Sequence, residues 1–339
     1  MMPDRPVSPD RFRDALLTVA AVILSIAALR ASYPVVMPLL FAAVTVAALW
    51  PLKAWLDRRL PAPSGYILSV LVLIGLLGGF AAAVYFSIGQ AIAVLGGQWS
   101  KLERAYQFVA DWASGWGLPL NRALDQRRVV GFAQMLVTSV YAFITYVGFI
   151  GILVMLGLPE VPRLRTKAKN EMDSRSRAEL FEVAVTISRR VRSYLGTTLA
   201  TSVLTGVASA LWSFMTGLEL ALVWGLLNFL LNFVPVIGNI VGILPPVLYA
   251  FLQFGGWTMP LIVLLGFAAL QLVISNFVYP WLQGRQLSLS PLAVVVSLTF
   301  WSWMWGIAGA LIAVPITAAI VIVCDQFEKS RWFARLLSN

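Results

Sequence analysis

Long apolar stretches alternate with short polar ones along most of the chain. The first three cover residues 15–29, 33–50 and 66–87, and a fourth covers 129–158. A helix needs about 20 apolar residues to cross the hydrocarbon core of a bilayer. Because only a tight polar break separates the first two stretches, they indicate a transmembrane hairpin rather than a cleaved signal peptide.

The last third of the chain is almost free of charge. From residue 220 to residue 324 the one charged side chain is Arg285, and the apolar blocks are 221–254, 259–278 and 287–324. The middle block fits a single span. Straight helices made of the outer two would be about 50 and 57 Å long, whereas the hydrocarbon core is about 30 Å thick.

Helix-breaking residues lie inside both long blocks. They are Pro235, Gly238, Gly242, Pro245 and Pro246 in the first, and Gly306 and Gly309, followed by Pro315, in the second. Two short spans with a tight loop would have the same composition, but paired interruptions are typical of a transporter's binding site. We therefore predict an all-α, polytopic membrane protein with about eight transmembrane segments, two of them broken or re-entrant hairpins.

Polar segments divide the chain into regions. We predict a fifth span that begins at Thr197. The predicted order is a three-span region (1–87), an extracytoplasmic amphipathic segment (88–128), the fourth span (129–158), a basic cytoplasmic helical connector (159–195), a core transport region (196–324) that contains both broken blocks, and a cytoplasmic tail (325–339).

Composition and charge agree with a protein embedded in a lipid bilayer. Hydrophobic residues make up 60% of the chain and charged residues 12%, about half the share of a soluble domain. The net charge of +10 reflects Lys and Arg retained in cytoplasmic loops and does not indicate a nucleic-acid partner. With both termini in the cytoplasm, 19 of the 25 basic residues lie inside.

Several chemistries lack the residues that they need. The chain has no His and a single Cys, Cys324, so the sequence predicts no metal site, no disulfide and no His-based catalysis. No acidic residue lies between Glu219 and Asp325, which lowers the expectation of direct proton or sodium coupling. We predict neither an enzyme nor a bound cofactor.

Polar side chains inside the apolar blocks are the candidate contacts for a small-molecule solute. Asn232 and Asn239 flank the first break, where backbone groups are released. Hydrogen bonds between helices are the alternative role for these amides, and a helix cap or an interfacial position is the alternative for Arg285. The predicted path residues are Asn228, Asn232, Pro235, Gly238, Asn239, Gly242, Gln271, Asn276, Arg285, Gly306, Gly309 and Pro315.

Three motifs resemble the proline-glycine signature of the autoinducer-2 exporter family. Residues 232–246 read Asn-Phe-Val-Pro-Val-Ile-Gly-Asn-Ile-Val-Gly-Ile-Leu-Pro-Pro. Residues 276–280 read Asn-Phe-Val-Tyr-Pro, and residues 306–315 read Gly-Ile-Ala-Gly-Ala-Leu-Ile-Ala-Val-Pro. The resemblance extends over nearly the whole chain and is strongest from residue 190 onward.

The resemblance implies a bacterial inner-membrane permease that forms a homo-oligomer. Members are linked to export of the quorum-sensing furanone autoinducer-2, and some relatives to sodium/proton antiport. We predict passage of a small polar solute by alternating access between the two broken segments. The alternatives are a sodium/proton antiporter and a non-transporting scaffold that binds partners through 88–128 and 160–195.

Overall fold

The protein is an all-helical membrane protein. A computed structural model describes residues 9–61, 64–97, 107, 114, 126–234, 237–283, 289–328 and 330–337, with some helical side chains left undescribed. Most of the predicted amphipathic segment 88–128 therefore lies outside the described residues. Its first part, up to Gly97, continues the third helix.

The apolar stretches form helices in the predicted order. The helices are α1 (Pro9–Ala31), α2 (Tyr33–Arg59), α3 (Ser64–Gly97), α4 (Gln126–Glu171), α5 (Ser174–Met215), α6 (Ala221–Leu231), α7 (Ile237–Val241), α8 (Leu244–Phe254), α9 (Thr258–Val273), a π-helical turn (Ile274–Val278), α10 (Tyr279–Gln283), α11 (Pro291–Gln326) and α12 (Arg331–Leu337). Six stretches of the described chain are long and apolar enough to cross a membrane, and the last of them is α11.

The basic segment 159–195 belongs to two long helices. α4 continues from the fourth apolar stretch to Glu171, and α5 starts at Ser174 and continues into the fifth apolar stretch. Lys and Arg are good helix formers, so the helical pattern does not stop where the apolar residues end. The predicted connector is therefore the joined polar ends of α4 and α5.

The first broken block folds back on itself. The rings of Trp224 in α6 and Tyr249 in α8 have centroids 5.5 Å apart, whereas a straight helix would separate these positions by about 38 Å. At the open end, the Glu219 amide donates to Gln253 Oε1 at 2.8 Å, and Gln253 Nε2 donates to the Gly217 carbonyl at 2.7 Å. We call α6, α7 and α8 the first hairpin.

The second broken block also forms a hairpin. Trp301 Nε1 donates to Thr317 Oγ1 at 3.1 Å, sixteen positions later, where a straight helix would place them about 24 Å apart. The helix breaks at Trp305 and at Gly306, whose φ of 61° and ψ of −144° require glycine. We call α11 the second hairpin, with arms 291–304 and 307–326.

The two hairpins enter the bundle from opposite ends of α5. The base of the second hairpin shares a buried cluster with Tyr194, on the basic side of α5. The base of the first hairpin follows Met215, the last residue of α5, about 32 Å farther along the helix. Between these two levels, Asn232 at the tip of the first hairpin contacts Thr201 and Ser202. This antiparallel arrangement is what an inverted repeat produces.

Candidate functional site

The turn of the first hairpin packs against a buried cluster that belongs mostly to the second hairpin. A buried cluster joins Met37 of α2 to Trp301 and Trp305 of the second hairpin, and Val234 from the turn of the first hairpin packs against it. We call the region of Met37, Val234, Trp301 and Trp305 the hairpin junction. The junction is thus a buried place where the two hairpins are packed close together.

Asn232 supplies hydrogen-bonding groups next to the hairpin junction. Its Nδ2 lies 3.0 Å from Ser202 Oγ and 3.3 Å from Thr201 Oγ1 and donates to both. Thr201 and Ser202 are fully buried, and the Thr201 hydroxyl also donates to the Thr197 carbonyl at 2.9 Å. This cluster of an amide and two hydroxyls carries no charge.

Asn228 holds the two sides of the first hairpin together. Its side chain is 1% exposed, and its Nδ2 donates to the Trp224 carbonyl at 3.0 Å and to the Gly242 carbonyl at 3.1 Å. The amide therefore satisfies a carbonyl released by the break, which is the structural role considered for these residues. Asn228 Oδ1 accepts no hydrogen bond among the described residues and faces Gly242.

The tryptophans of the second hairpin have two different environments. Trp301 and Trp305 are buried, and Trp305 Nε1 donates to the Leu29 carbonyl of α1 at 3.1 Å. Trp303 is 56% exposed, and the Arg30 guanidinium lies 5.4 Å from its ring centroid. The buried pair stacks with centroids 4.8 Å apart and forms the apolar wall of the hairpin junction.

Glycines allow the backbone to come into close contact at both breaks. A Cβ at Gly238 would overlap the Leu231 carbonyl oxygen, and one at Gly242 would overlap Asn228 Oδ1. In the second hairpin, a Cβ at Gly309 would overlap the Trp301 carbonyl oxygen. A Cβ at Gly306 would meet no atom within 4 Å, so glycine is needed there only because φ is positive.

The remaining predicted path residues that the structure describes have different environments. Pro235, Arg285 and the side chain of Asn239 lie outside the described residues. Gln271 is buried in α9, and Pro315 is buried within the returning arm of the second hairpin. Asn276 is exposed on the π-helical turn, and its Nδ2 donates to the Leu272 carbonyl at 2.9 Å.

Sequence reasoning missed a stripe of buried hydroxyls on α5. These residues are Thr197, Thr198, Thr201, Ser202, Thr205, Ser209 and Ser213. Their spacing of three and four residues is the signal that places them on one helix face. The stripe follows the face that packs on the first hairpin, where Gly206 and Gly225 bring the two helices into contact.

Comparison with known proteins gives the family. The model of the AI-2E family transporter matches residues 16–329, which include both hairpins and the hairpin junction. The chain belongs to the AI-2E transporter family. It is accordingly a multi-pass membrane transporter, and the resemblance found in its three motifs is confirmed.

Several curated proteins resemble this transporter. The AI-2 transport protein TqsA of Escherichia coli is 32% identical over 65% of this chain and 63% of its own length, less than two thirds of either. A Haemophilus influenzae protein, whose name gives transport as a provisional role, is 28% identical over 96% of each chain. The sodium-lithium/proton antiporter of Halobacillus andaensis is 24% identical over 89% of this chain and 92% of its own.

The family match covers the structural features described above. Both hairpins and the α5 hydroxyl stripe lie within the matched residues. Irregular backbone at membrane depth is stable where it is buried in protein or lines a cavity. In this transporter one residue of each break, Val234 in the first and Trp305 in the second, belongs to the hairpin junction.

Proposed function

We propose that this transporter moves a small, neutral, polar solute of the autoinducer-2 type through the hairpin junction. Export by alternating access is the mechanism that we infer: the junction opens to one side and then to the other. The packing of the first hairpin's turn against a buried cluster of the oppositely directed second hairpin is the observation that carries the proposal. Each hairpin base faces one side, so each hairpin acts as the gate for that side.

The chemistry beside the hairpin junction supports a neutral solute. Asn232, Thr201 and Ser202 form an uncharged hydrogen-bonded cluster, and Asn232 is its partly exposed member. The sequence contains no carboxylate between Glu219 and Asp325. An acidic side chain is the usual site for a coupling proton or cation inside a membrane, so the sodium/proton antiporter is the less favoured reading.

We further propose a location in the bacterial inner membrane with both termini in the cytoplasm. The distribution of Lys and Arg, with 19 of 25 on that side, supports this orientation. In this orientation the first hairpin enters from outside and the second from inside. The resemblance to the exporter family also supports a homo-oligomer.

Transport by purified protein in liposomes tests the proposed function. We expect efflux of autoinducer-2 and of small neutral polyols that does not change when a sodium or pH gradient is imposed. Transport that requires either gradient would instead support the antiporter. If none of these solutes moves in the presence or absence of a gradient, the proposed solute class is wrong.

Substitution of Asn232 tests the polar cluster. We expect Asn232→Ala to raise the half-saturating solute concentration about fivefold, because one neutral hydrogen bond contributes about 1 kcal/mol. Asn276→Ala is the matched control, since this amide is exposed and bonds only within its own helix among the described contacts. If the two substitutions changed the solute affinity equally, Asn232 would not be a solute contact.

A further inference from the structure

A groove lies at the basic end of the bundle, separate from the hairpin junction. It has a volume of about 590 Å³ and is formed by α2, α4 and α5. α2 contributes Ala43, Val46, Ala47 and Trp50, whose spacing places them on one helix face. None of the residues of the hairpin junction lines this groove.

One part of the groove is an exposed apolar wall. Leu164 of α4 is 57% exposed, and Leu180 and Val185 of α5 are 55% and 43% exposed. All three line the groove, although they lie in the most basic part of the sequence. An exposed apolar patch of this kind marks a contact with a ligand, with the membrane or with another protein.

The other part of the groove carries three arginines. Arg165, Arg189 and Arg192 line it, and none of its described lining residues is acidic. Arg192 Nε donates to the Ala47 carbonyl at 3.3 Å, and the Arg165 guanidinium lies 5.6 Å from the Trp50 ring centroid. Among the described residues, no ion pair joins these arginines to a carboxylate.

The sequence pattern of α2 places the groove at the level where the membrane meets water. α2 passes from the apolar stretch 33–50 to Trp50, Lys53, Arg58 and Arg59. Aromatic and basic residues at the end of an apolar helix are typical of the interfacial region. A molecule in the groove would therefore meet apolar side chains toward the membrane interior and guanidinium groups at headgroup depth.

We propose that this groove binds one anionic phospholipid. The headgroup phosphate accepts hydrogen bonds from Arg165, Arg189 and Arg192, and an acyl chain covers the wall formed by Leu164, Leu180 and Val185. Charge complementarity selects this occupant, since arginine pairs well with phosphate and a zwitterionic headgroup carries a cation of its own, which the three arginines repel. An aliphatic chain fits the exposed apolar wall, which a free phosphate leaves uncovered.

Lipid binding to purified, delipidated protein tests the proposal. We would titrate the protein in detergent with phosphatidylglycerol or phosphatidylcholine and count bound lipids by native mass spectrometry. We expect one site that prefers phosphatidylglycerol. Combined Arg165→Gln and Arg189→Gln substitutions are expected to weaken that site about 30-fold, since each basic residue near an anionic lipid contributes about 1 kcal/mol.

Two further variants make the test specific. Combined Arg163→Gln and Lys167→Gln substitutions remove the same charge from α4 outside the groove and are expected to leave binding unchanged. Ala184→Trp fills the groove without a change in charge and is expected to abolish the site. Size-exclusion chromatography checks that each variant is folded, and the comparison of the two lipids in the unsubstituted protein needs no variant.

Three results would overturn the proposal. Equal affinity for the two lipids would show that the arginines do not select an anion. Unchanged phosphatidylglycerol binding in the Arg165/Arg189 variant or in Ala184→Trp would place the lipid elsewhere. Loss of self-association in Ala184→Trp with phosphatidylglycerol binding intact would assign the groove to a second copy of the chain.

Discussion

Gly309→Leu is expected to abolish transport and to lower the free energy of unfolding by about 3 kcal/mol, as overpacking of a close contact does. A side chain at this position would overlap the Trp301 carbonyl oxygen on the other arm of the second hairpin. The arms must then separate, and the Trp301–Thr317 hydrogen bond is lost with them. Solute efflux from liposomes measures transport, and thermal unfolding in detergent measures stability.

Gly148→Leu is the control for this substitution. Gly148 is exposed on α4 and has no neighbouring atom within 4 Å of an added Cβ. The same chemical change there is expected to alter the free energy of unfolding by less than about 1 kcal/mol. Transport by Gly309→Leu at the unsubstituted rate would contradict the hairpin geometry.

Gly225→Leu is expected to separate the first hairpin from α5. An added Cβ at Gly225 would lie 2.7 Å from both the Gly206 carbonyl oxygen and the Ala210 Cβ. Because these atoms belong to backbone or to a one-carbon side chain, they cannot move aside without a helix shift. We expect a loss of about 2 to 3 kcal/mol in the free energy of unfolding and a loss of transport.

The matched substitution for Gly225→Leu is Gly196→Leu. Gly196 lies on an exposed face of α5 with no atom within 4 Å of an added Cβ. Stability and transport are expected to stay close to those of the unsubstituted protein. If both substitutions have the same effect, the contact of α5 with α6 is not the cause.

The all-helical fold and the two breaks can be predicted from the sequence. The reason is that the length of each apolar block, as a straight helix, can be compared with the thickness of the hydrocarbon core. Blocks of 34 and 38 apolar residues cannot be straight spans, and Gly306 marks the turn of the second hairpin. The confirmed prediction of an all-α polytopic protein rests on this physical limit. By contrast, apolarity alone does not determine where α4 and α5 end, because their polar ends remain helical.

The candidate site was only partly predictable. Asn232 was predicted as a solute contact, and the structure places it beside the hairpin junction. Its partners Thr201 and Ser202 were not predicted. A hydroxyl can donate to a carbonyl of its own helix, as Thr201 does, so Ser and Thr within an apolar sequence give no signal of a binding site. Asn276 is exposed, and its Nδ2 donates to the Leu272 carbonyl of the same helical segment. Sequence spacing does not reveal this orientation, because the helix has a π-helical turn here.

Movement at the hairpin junction is the central claim, and a cross-link between the two hairpins tests it. Cysteines replace Val234 in the turn of the first hairpin and Ala310 in the second hairpin, in a Cys324→Ala background. Ala310 belongs to the buried cluster against which Val234 packs. A short thiol-reactive cross-linker then joins them. A second pair, Glu219→Cys with Gln253→Cys, joins the base of the first hairpin and is expected to leave transport unchanged.

The decisive quantity is the rate of solute efflux from liposomes before cross-linking, after cross-linking and after cleavage of the linker. We predict that the Val234–Ala310 link stops efflux and that cleavage restores it. Efflux that continues at the original rate while the two hairpins are covalently joined would contradict the account.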